Sequence, residues 1–371
     1  MISGDRSLLS GKRGAFWYTL EIFSKQFDRI DIITPRSADA KVDANNPDAL
    51  TFFGNTHLHP SPKGLLHQAS WIASRGAQLI SLFHHSVMTV HDYPPFYNSI
   101  GARRLLKKFP IGSVLEIHHL VGYPKAASRT ERIGRILSRV YLPSAIRHFT
   151  ATRVVNKTTA ETLTQWGADK SKIFVVPSVY LDLPLFSSLH ALSVPKQYDV
   201  AFCGRLVPNK GLLPLLRAIA KIPGVSLLVI GDGPERKAAE SYARQLDIAE
   251  RVEFRGWLPT QEDVLRAMMS AKCFVMNSLS EGNPRVAIEA MAVGLPVIAT
   301  KVGIMPDVLI EGRNGYFTTG EPVDLADVIR KMLADDGRRE QMGMEARAVL
   351  DRFEREKQIH QYAQFVRSAA S

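Results

Sequence analysis

The chain has 371 residues, of which 45% are hydrophobic and 22% are charged, a balance that is typical of globular proteins and excludes a disordered chain. Its formal net charge of +11 favours an anionic partner: nucleic acid, an anionic membrane surface or a phosphorylated substrate. No apolar run has the length of a membrane span, and charged residues interrupt the N-terminus where a signal peptide needs an apolar core. Two cysteines in apolar runs, Cys203 and Cys273, indicate reduced core residues, so we expect a cytoplasmic protein.

The N-terminal residues predict the end of a strand, a glycine-containing loop and a helix. Residues 1–4 look like the tail of a strand, so we expect the natural start of the protein to lie upstream. In the loop that follows, Gly11 and Gly14 allow a backbone to approach a ligand closely, and the helix start predicted at Ala15 favours an anion. An ordinary turn explains the same residues equally well.

Short apolar runs in the first half of the chain predict strands at residues 30–34, 50–53, 79–83 and 114–118. Strands that alternate with helices predict a parallel, doubly wound sheet, whose functional residues lie beyond the carboxyl ends of its strands. Two histidine pairs fall at such positions, His84-His85 and His118-His119. Within the second pair, His118 is the better candidate because it comes first after its strand. A hydrogen-bonded histidine at a strand end, or a dihistidine metal site without an evident third ligand, is the alternative.

The stretch from residue 103 to residue 157 is strongly basic, with twelve lysines and arginines against two glutamates. Within it, Ser128 and Glu131 have the spacing of a capping box, which predicts the start of a helix. One face of that helix is apolar and another is basic: Ile133, Ile136, Leu137 and Val140 form the first, and Arg132, Arg135 and Arg139 the second. Such a helix either lies on anionic lipid or packs on an ordinary core and leaves its basic face in solvent.

The chain divides into two predicted domains. Strands predicted at 149–155 and 173–177 close a first domain at residues 1–182, and residues 183–197 predict a linker because they carry prolines and little periodicity. A second domain is predicted at 198–350, followed by a helix at 351–371. The strands predicted in the second domain are 198–202, 226–230, 252–255, 273–276 and 295–299.

The loop after the first strand of the second domain has the sequence Gly204-Arg205-Leu206-Val207-Pro208-Asn209-Lys210-Gly211. A glycine turn brings the backbone close to a ligand, while Arg205 and Lys210 supply two cations for a pyrophosphate. Gly231 and Trp257 follow the next two strands. Trp257 either stacks on a nucleotide base or covers the rim of the domain.

Residues 280–300 predict a loop, a short helix and a strand. We expect Asn283 to be the N-cap and Pro284 the first helical residue, so that the free N–H groups of the helix start offer a seat for phosphate. Glu281 lies in the loop, whereas Glu289 lies inside the helix among apolar residues, where a charge needs a partner. Ribose hydroxyls are suitable partners, and so is Arg285 one turn earlier on a solvent-exposed face.

Glu281 and Glu289, with seven residues between them and Gly294-Leu295-Pro296 after them, resemble the EX7E signature of the GT4-type retaining glycosyltransferases with the GT-B fold. Residues 204–211 resemble the donor-diphosphate motif of the same family. The resemblance is strong over residues 201–316 and weak over residues 4–177. It implies an α/β fold of two Rossmann-like, doubly wound domains that face a cleft, with the helix at 351–371 crossing back to the first domain.

The resemblance also implies a reaction, the transfer of a sugar from a nucleotide-diphosphate sugar to a saccharide or lipid-linked acceptor with retention of configuration. UDP and GDP are the favoured donor nucleotides. Glu281 is then expected to bind the donor sugar and Glu289 the ribose, while Arg205 and Lys210 neutralise the diphosphate without a metal. His118 is expected to face the transferred sugar from the first domain. The other residues expected to line the sites are Gly204, Gly231, Trp257, Asn283, Pro284, Arg285, Val286, Gly11 and Gly14.

Other functions stay open at this point. A nucleotide-sugar epimerase needs further acid–base carboxylates, and a phosphorylase-like enzyme needs a lysine-bound cofactor that no motif indicates. The basic charge also allows a catalytically silent GT-B protein or a basic scaffold that binds nucleic acid or membranes. No nucleic-acid-binding motif is present, so we expect no nucleic-acid partner. We expect an enzyme without a metal or resident cofactor, cytoplasmic or peripheral on the inner face of a membrane through residues 103–157.

Overall fold

A computed structural model of the protein describes residues 1–11, 14–37 and 50–370. The chain forms two compact units. Unit 1 comprises Met1–Val121, Ile133–Tyr180 and Glu356–Ser371, and unit 2 comprises Gly122–Arg132 and Leu181–Arg355. The change between units at residues 180 and 181 lies close to the domain end predicted at 182, whereas residues 122–132 fall in unit 2.

The helices and strands are numbered along the chain. The strands are β1 Ile30–Thr34, β2 Thr51–Phe52, β3 Thr56–Pro60, β4 Val87–His91, β5 Gly112–Ile117, β6 Ala151–Val154, β7 Ile173–Val175, β8 Tyr198–Cys203, β9 Leu227–Ile230, β10 Val252–Gly256, β11 Ala271–Met276, β12 Val297–Thr300 and β13 Gly315–Thr318. The helices are α1 Ala15–Phe23, α2 Gln68–Phe83, α3 Tyr97–Leu106, α4 Arg129–Ile146, α5 Lys157–Gln165, α6 Leu183–His190, α7 Leu212–Ala220, α8 Arg236–Gln245, α9 Gln261–Met269, α10 Arg285–Ala292, α11 Met305–Val308, α12 Pro322–Leu333, α13 Asp336–Ala346, α14 Val349–Arg352 and α15 Arg355–Ser368.

Unit 1 is built on β-strands that meet at the N-terminus of the chain. Strands β4, β5, β6 and β7 pair in parallel, and a second group has the order β1-β3-β2. Ile2 forms parallel bridges to Ile33 of β1 and to Val90 of β4, so a single residue joins the two groups. A cavity of about 590 Å³ lies beside it, with walls that include Met1, Asp31 and Met88. The predicted parallel sheet is therefore present in unit 1.

Unit 2 has one parallel six-stranded sheet in the order β10-β9-β8-β11-β12-β13. This is the order of a doubly wound, Rossmann-like sheet, in which the strand order reverses between the first and the fourth strand, here β8 and β11. A cluster of buried apolar residues covers the sheet, including Leu215 and Leu216 of α7 and Val229 of β9. Ligands of such sheets bind beyond the carboxyl ends of the strands at the reversal point, so this fold predicts the position of a site.

Three predicted elements differ from the structure. The strand predicted at 79–83 is wrong, because these residues end α2, whose buried residues Ile72, Gly76, Leu79 and Ile80 follow the helical repeat. The predicted linker at 183–197 contains α6, with Pro184 in its first turn, where a missing N–H costs nothing. The C-terminal helix predicted at 351–371 begins only at Arg355 as α15, because residues 351 and 352 end the separate helix α14.

Helix α4 exposes its apolar face. Its buried residues include Gly134, Ser138 and Leu142, whereas the four large apolar residues of the predicted face, Ile133, Ile136, Leu137 and Val140, are exposed. Of the two alternatives, packing of this apolar face on an ordinary core is therefore wrong. Among the residues that the structure describes, no helix is long and apolar enough to cross a membrane.

Candidate active site

Two loops of unit 2 meet at the reversal point of the sheet. The first follows β8 at residues 204–211, and the second follows β11 at residues 277–284. Asn209 joins them: its Nδ2 donates to the Ser280 carbonyl at 2.9 Å, and its Oδ1 accepts from the Ser280 N–H at 3.1 Å and from the Ser280 hydroxyl at 3.0 Å. The Leu279 N–H also donates to the Asn209 carbonyl at 2.8 Å. Asn209 therefore positions the carboxylate loop, a role that its place in the motif did not reveal.

The two loops bring Lys210 and Glu281 together. The Lys210 ammonium donates a hydrogen bond to Oε1 of Glu281, and both side chains are mostly buried, with exposed fractions of 24% and 14%. Arg205 lies exposed on the same loop as Lys210. A cation and a carboxylate that the sequence placed 71 residues apart are thus one ion pair at the carboxyl edge of the sheet. Its charges are available to a ligand that carries both anionic and hydroxyl groups.

Close backbone packing at this edge requires glycine. Gly231 follows β9 with a φ of +121°, and a Cβ there would lie 2.1 Å from the Gly204 carbonyl oxygen. The Gly231 N–H donates to the Gly256 carbonyl at 2.8 Å, and the Gly204 N–H donates to the Ile230 carbonyl at 3.0 Å. The turns after β8, β9 and β10 therefore form one continuous surface. Trp257 follows the last of these turns and is 79% exposed, so its indole covers little of the unit.

Helix α10 begins one residue later than predicted. Pro284, rather than Asn283, is the N-cap, and Arg285 is the first helical residue. Because the first N–H groups of a helix have no partner within it, the start of α10, which includes Arg285 and Val286, presents donors and the positive end of the helix dipole beside the Glu281 loop. This position suits an anionic group of a ligand.

Glu289 is buried, with an exposed fraction of 5%, on the inner side of α10. Its Oε1 accepts from Arg285 Nε at 2.8 Å and from Gln261 Nε2 at 2.6 Å. Burial raises the pKa of Glu289, and both donors partly oppose this effect. The predicted ion pair between Arg285 and Glu289 is present. The prediction that this pair lies on a solvent-exposed face is wrong for Glu289, because its carboxylate is buried. Gln261 begins α9 and carried no sequence signal for this contact.

A separate histidine cluster lies in unit 1. His118 follows β5, and its ring stacks on that of His91, at the end of β4, with centroids 4.4 Å apart. Burial lowers the pKa of His118 well below its usual value, and the neighbouring His91 and Arg153 lower it further. The His118 Nε2 is buried and has no hydrogen-bond partner among the residues described. Asp92, which sequence reasoning missed, comes next after His91, and burial raises its pKa to about 6.

Four further residues of unit 1 bear on the predicted acceptor side and on a possible metal site: Glu116, His85, Gly11 and Gly14. Glu116 accepts from Arg153 Nη1 at 3.2 Å and from the Tyr362 hydroxyl of α15. His85 Nε2 lies 2.8 Å from Asp31 Oδ2, and within residues 1–11, 14–37 and 50–370 no group of three His, Cys, Asp or Glu side chains could hold a metal. Gly14 is the N-cap of α1, and a Cβ on Gly11 or Gly14 would meet no atom of the described residues within 4 Å, so packing requires neither glycine, and only the φ of +67° at Gly11 favours glycine.

Most of unit 2 matches the profile of a known protein family. The profile of the family described as glycosyl transferases group 1 matches residues 190–349. Residues 190–349 form a group 1 glycosyltransferase domain. The matched range contains Arg205, Lys210, Glu281 and Glu289, the residues that the two loops and α10 bring to one edge of the sheet.

Curated relatives share this glycosyltransferase domain. The lipopolysaccharide core biosynthesis glycosyltransferase LpsE of Rhizobium meliloti is 32% identical over 167 residues, which are 44% of this chain and 48% of the relative. The D-inositol 3-phosphate glycosyltransferase of Mycolicibacterium smegmatis is 37% identical over 182 residues, 45% of this chain and 41% of the relative. The chain thus matches less than half the length of each.

Solved structures share the fold over the whole chain. Sucrose-phosphate synthase of Thermosynechococcus elongatus superposes with a TM-score of 0.80 at 21% identity, covering 100% of this chain and 98% of the other. HepE of Anabaena in complex with UDP gives a TM-score of 0.72 at 21% identity, covering 99% and 98%. The chain therefore has the GT-B fold, in which the glycosyltransferase domain is the second of two Rossmann-like units.

Proposed function

We propose that the protein transfers a sugar from a nucleotide-diphosphate sugar to a saccharide or lipid-linked acceptor, with retention at the anomeric carbon and without a metal. The observation that carries this proposal is the Lys210–Glu281 pair, which Asn209 holds at the reversal point of the unit 2 sheet. A donor of this class carries an anionic diphosphate for the cation and sugar hydroxyls for the carboxylate. Arg205 adds a second cation on the same loop.

The roles follow from where charge develops during transfer. The bond between the anomeric carbon and the donor phosphate breaks, the acceptor oxygen bonds to that carbon, and the acceptor proton passes to the departing diphosphate. Because the diphosphate gains negative charge as it leaves, Arg205 and Lys210 bind it more strongly in the transition state than in the ground state. Once the diphosphate binds Lys210, Glu281 is free to accept hydrogen bonds from the donor sugar.

Two further groups complete the proposed donor site. Glu289 is positioned by Arg285 and Gln261 and accepts from ribose hydroxyls, whose donors offset the cost of its buried charge. The first turn of α10 offers N–H groups to the sugar or phosphate. A UDP donor is supported by HepE, which has this fold and binds UDP. On the acceptor side, the neutral His118 ring has a buried nitrogen for a hydroxyl of the transferred sugar.

A thermal-shift panel of UDP, GDP, ADP and their sugars tests the donor site, because a ligand that binds only the folded protein raises its melting temperature. We expect one nucleotide to raise it and Arg205→Ala to weaken that nucleotide about 10- to 100-fold, the value of a charge-assisted contact. Arg244→Ala is the matched control, since Arg244 is also an exposed arginine of unit 2. No shift with any nucleotide would contradict the proposal and favour a silent scaffold.

The finer parts of the proposal need their own assays. Retention is tested by the anomeric configuration of the product in NMR, and metal independence by unchanged turnover in excess EDTA. We also propose that the protein works at the inner face of a membrane, where a lipid-linked acceptor is available. The basic stretch at residues 103–157 and the exposed apolar face of α4 support this location.

A further inference from the structure

The part of α4 in unit 1 has an unusual outward face. Ile133, Ile136, Leu137 and Val140 are 59%, 57%, 45% and 74% exposed. At 100° per residue these four side chains fall within one arc of about 100°, and they span roughly 10 Å along the helix axis. Single exposed apolar residues are common on protein surfaces, whereas four contiguous ones mark a site of interaction.

The inward face of the same helix packs against other residues of unit 1. Gly134 lies against Val121, with a Cβ position 3.3 Å from Val121 Cγ1, and Ser138, Leu142 and Ala145 are buried below it. Tyr141 packs on α3, where its hydroxyl lies 2.8 Å from the Ser99 hydroxyl. The exposed arc is therefore not a core face that the helix failed to bury, because a different set of residues makes the contacts with unit 1.

Positive charge borders the exposed arc. Arg139 is exposed on one side of it, and Arg147 is exposed just after the helix ends. The end of α3 lies beside the residues that follow α4, since Arg103 Nη2 lies 2.8 Å from His148 Nε2. The end of α3 therefore adds further exposed cations near the end of α4, and these are Arg104, Lys107 and Lys108. The only carboxylates between residues 103 and 157 are Glu116, which is buried, and Glu131.

We infer that this outward face of α4 docks on an anionic phospholipid bilayer, with Ile133, Ile136, Leu137 and Val140 among the acyl chains and the arginines and lysines at the phosphates. An apolar arc flanked by cations is the pattern of helices that lie in the plane of a membrane interface. The combination favours lipid over a protein partner, because the cations complement a surface of uniform negative charge. The inference rests on the proposed inner-membrane location and names the surface and the lipid chemistry.

Co-sedimentation of the full chain with lipid vesicles tests the docking. We expect the protein to pellet with vesicles of equal phosphatidylglycerol and phosphatidylcholine and to stay in solution with pure phosphatidylcholine. Ile136→Glu/Val140→Glu should weaken partitioning at least tenfold, because two carboxylates enter the apolar arc. Arg139→Glu should weaken partitioning onto the vesicles about fivefold for each unit of charge changed. The controls are Met344→Glu, 67% exposed on α13, and Arg244→Glu on α8.

A fluorescent probe then distinguishes insertion from surface adsorption. Burial raises the pKa of Cys203 and of Cys273 to about 12, so both native thiols react slowly at pH 7. A Val140→Cys variant is therefore labelled selectively with the polarity-sensitive dye NBD. We expect a blue shift and increased emission with phosphatidylglycerol vesicles, and no change when the same label is attached through Met344→Cys.

Three results would overturn the inference. The first is wild-type protein that stays in solution with anionic vesicles, and the second is an Ile136→Glu/Val140→Glu variant that pellets as well as the wild type. The third is a wild-type dimer in analytical ultracentrifugation that this double variant converts to monomer, which would assign the face to self-association. Retained UDP or GDP binding in the variant shows that it is folded, and the donor proposal stands or falls on that binding independently of the vesicles.

Discussion

The bonds from Asn209 to Ser280 allow the stability of the two loops at residues 204–211 and 277–284 to be predicted quantitatively. Asn209→Ala removes three hydrogen bonds of 2.9, 3.1 and 3.0 Å, all to Ser280, which is 0% exposed. Each polar group left buried without a partner costs about 1–3 kcal/mol. Water can enter beside the half-buried Asn209 position and form some of the lost hydrogen bonds. We therefore expect the free energy of opening the two loops to fall by about 2–4 kcal/mol.

Hydrogen exchange measured by mass spectrometry tests this prediction, because peptides that cover residues 204–211 and 277–284 report the stability of these loops separately from the rest of the chain. A loss of about 2–4 kcal/mol corresponds to local opening that is about 30- to 700-fold more frequent. Ser280→Ala is the matched variant, because it removes only the bond from the serine hydroxyl and should raise exchange about fivefold. If exchange in Asn209→Ala stays within threefold of wild type, Asn209 does not hold the two loops together.

Three further variants test the chemistry and packing of unit 2. Lys210→Ala should lower kcat about 10²- to 10³-fold in a sugar-transfer assay, because it removes a cation that we propose stabilises the departing diphosphate, and an unchanged kcat would remove Lys210 from the proposed mechanism. Gly231→Ala should lower the urea midpoint far more than Gly224→Ala, because its Cβ would lie 2.1 Å from the Gly204 carbonyl oxygen while no atom lies within 4 Å of a Cβ on Gly224. Burial raises the folded-state pKa of Glu289 above 4.5, so between 4.5 and that higher value the folded state binds the extra proton and wild type loses stability as pH rises. The free energies of unfolding of wild type and Glu289→Gln should therefore diverge above pH 4.5, and parallel curves would contradict the raised pKa.

Local pattern was enough to predict most of unit 2. Its strands are short apolar runs separated by glycine turns, and in a parallel sheet such runs are buried on both faces, so the pattern alone identifies them. The spacing of Glu281 and Glu289 and the cations at Arg205 and Lys210 were also local signals of a donor site. Arg205, Lys210 and Glu281 lie in the loops after β8 and β11, and Glu289 lies inside the helix that follows. In unit 1 the signal was weaker, and the strand prediction at residues 79–83 is wrong because a five-residue run with four apolar side chains fits the end of a helix equally well.

The partners of these residues were decided by tertiary structure. Glu281 was expected to bind only the donor sugar, but the order of the strands brings its carboxylate to Lys210. Glu289 accepts a hydrogen bond from Gln261, which lies on another helix. The sequence of α4 determined that the helix has one apolar and one basic side. The side that turns inward is the one that carries Gly134, which packs against Val121, so that a Cβ there would lie 3.3 Å from Val121 Cγ1. The hydrophobic pattern of a helix predicts which residues share a face. Only the elements that pack against the helix determine whether that face is buried.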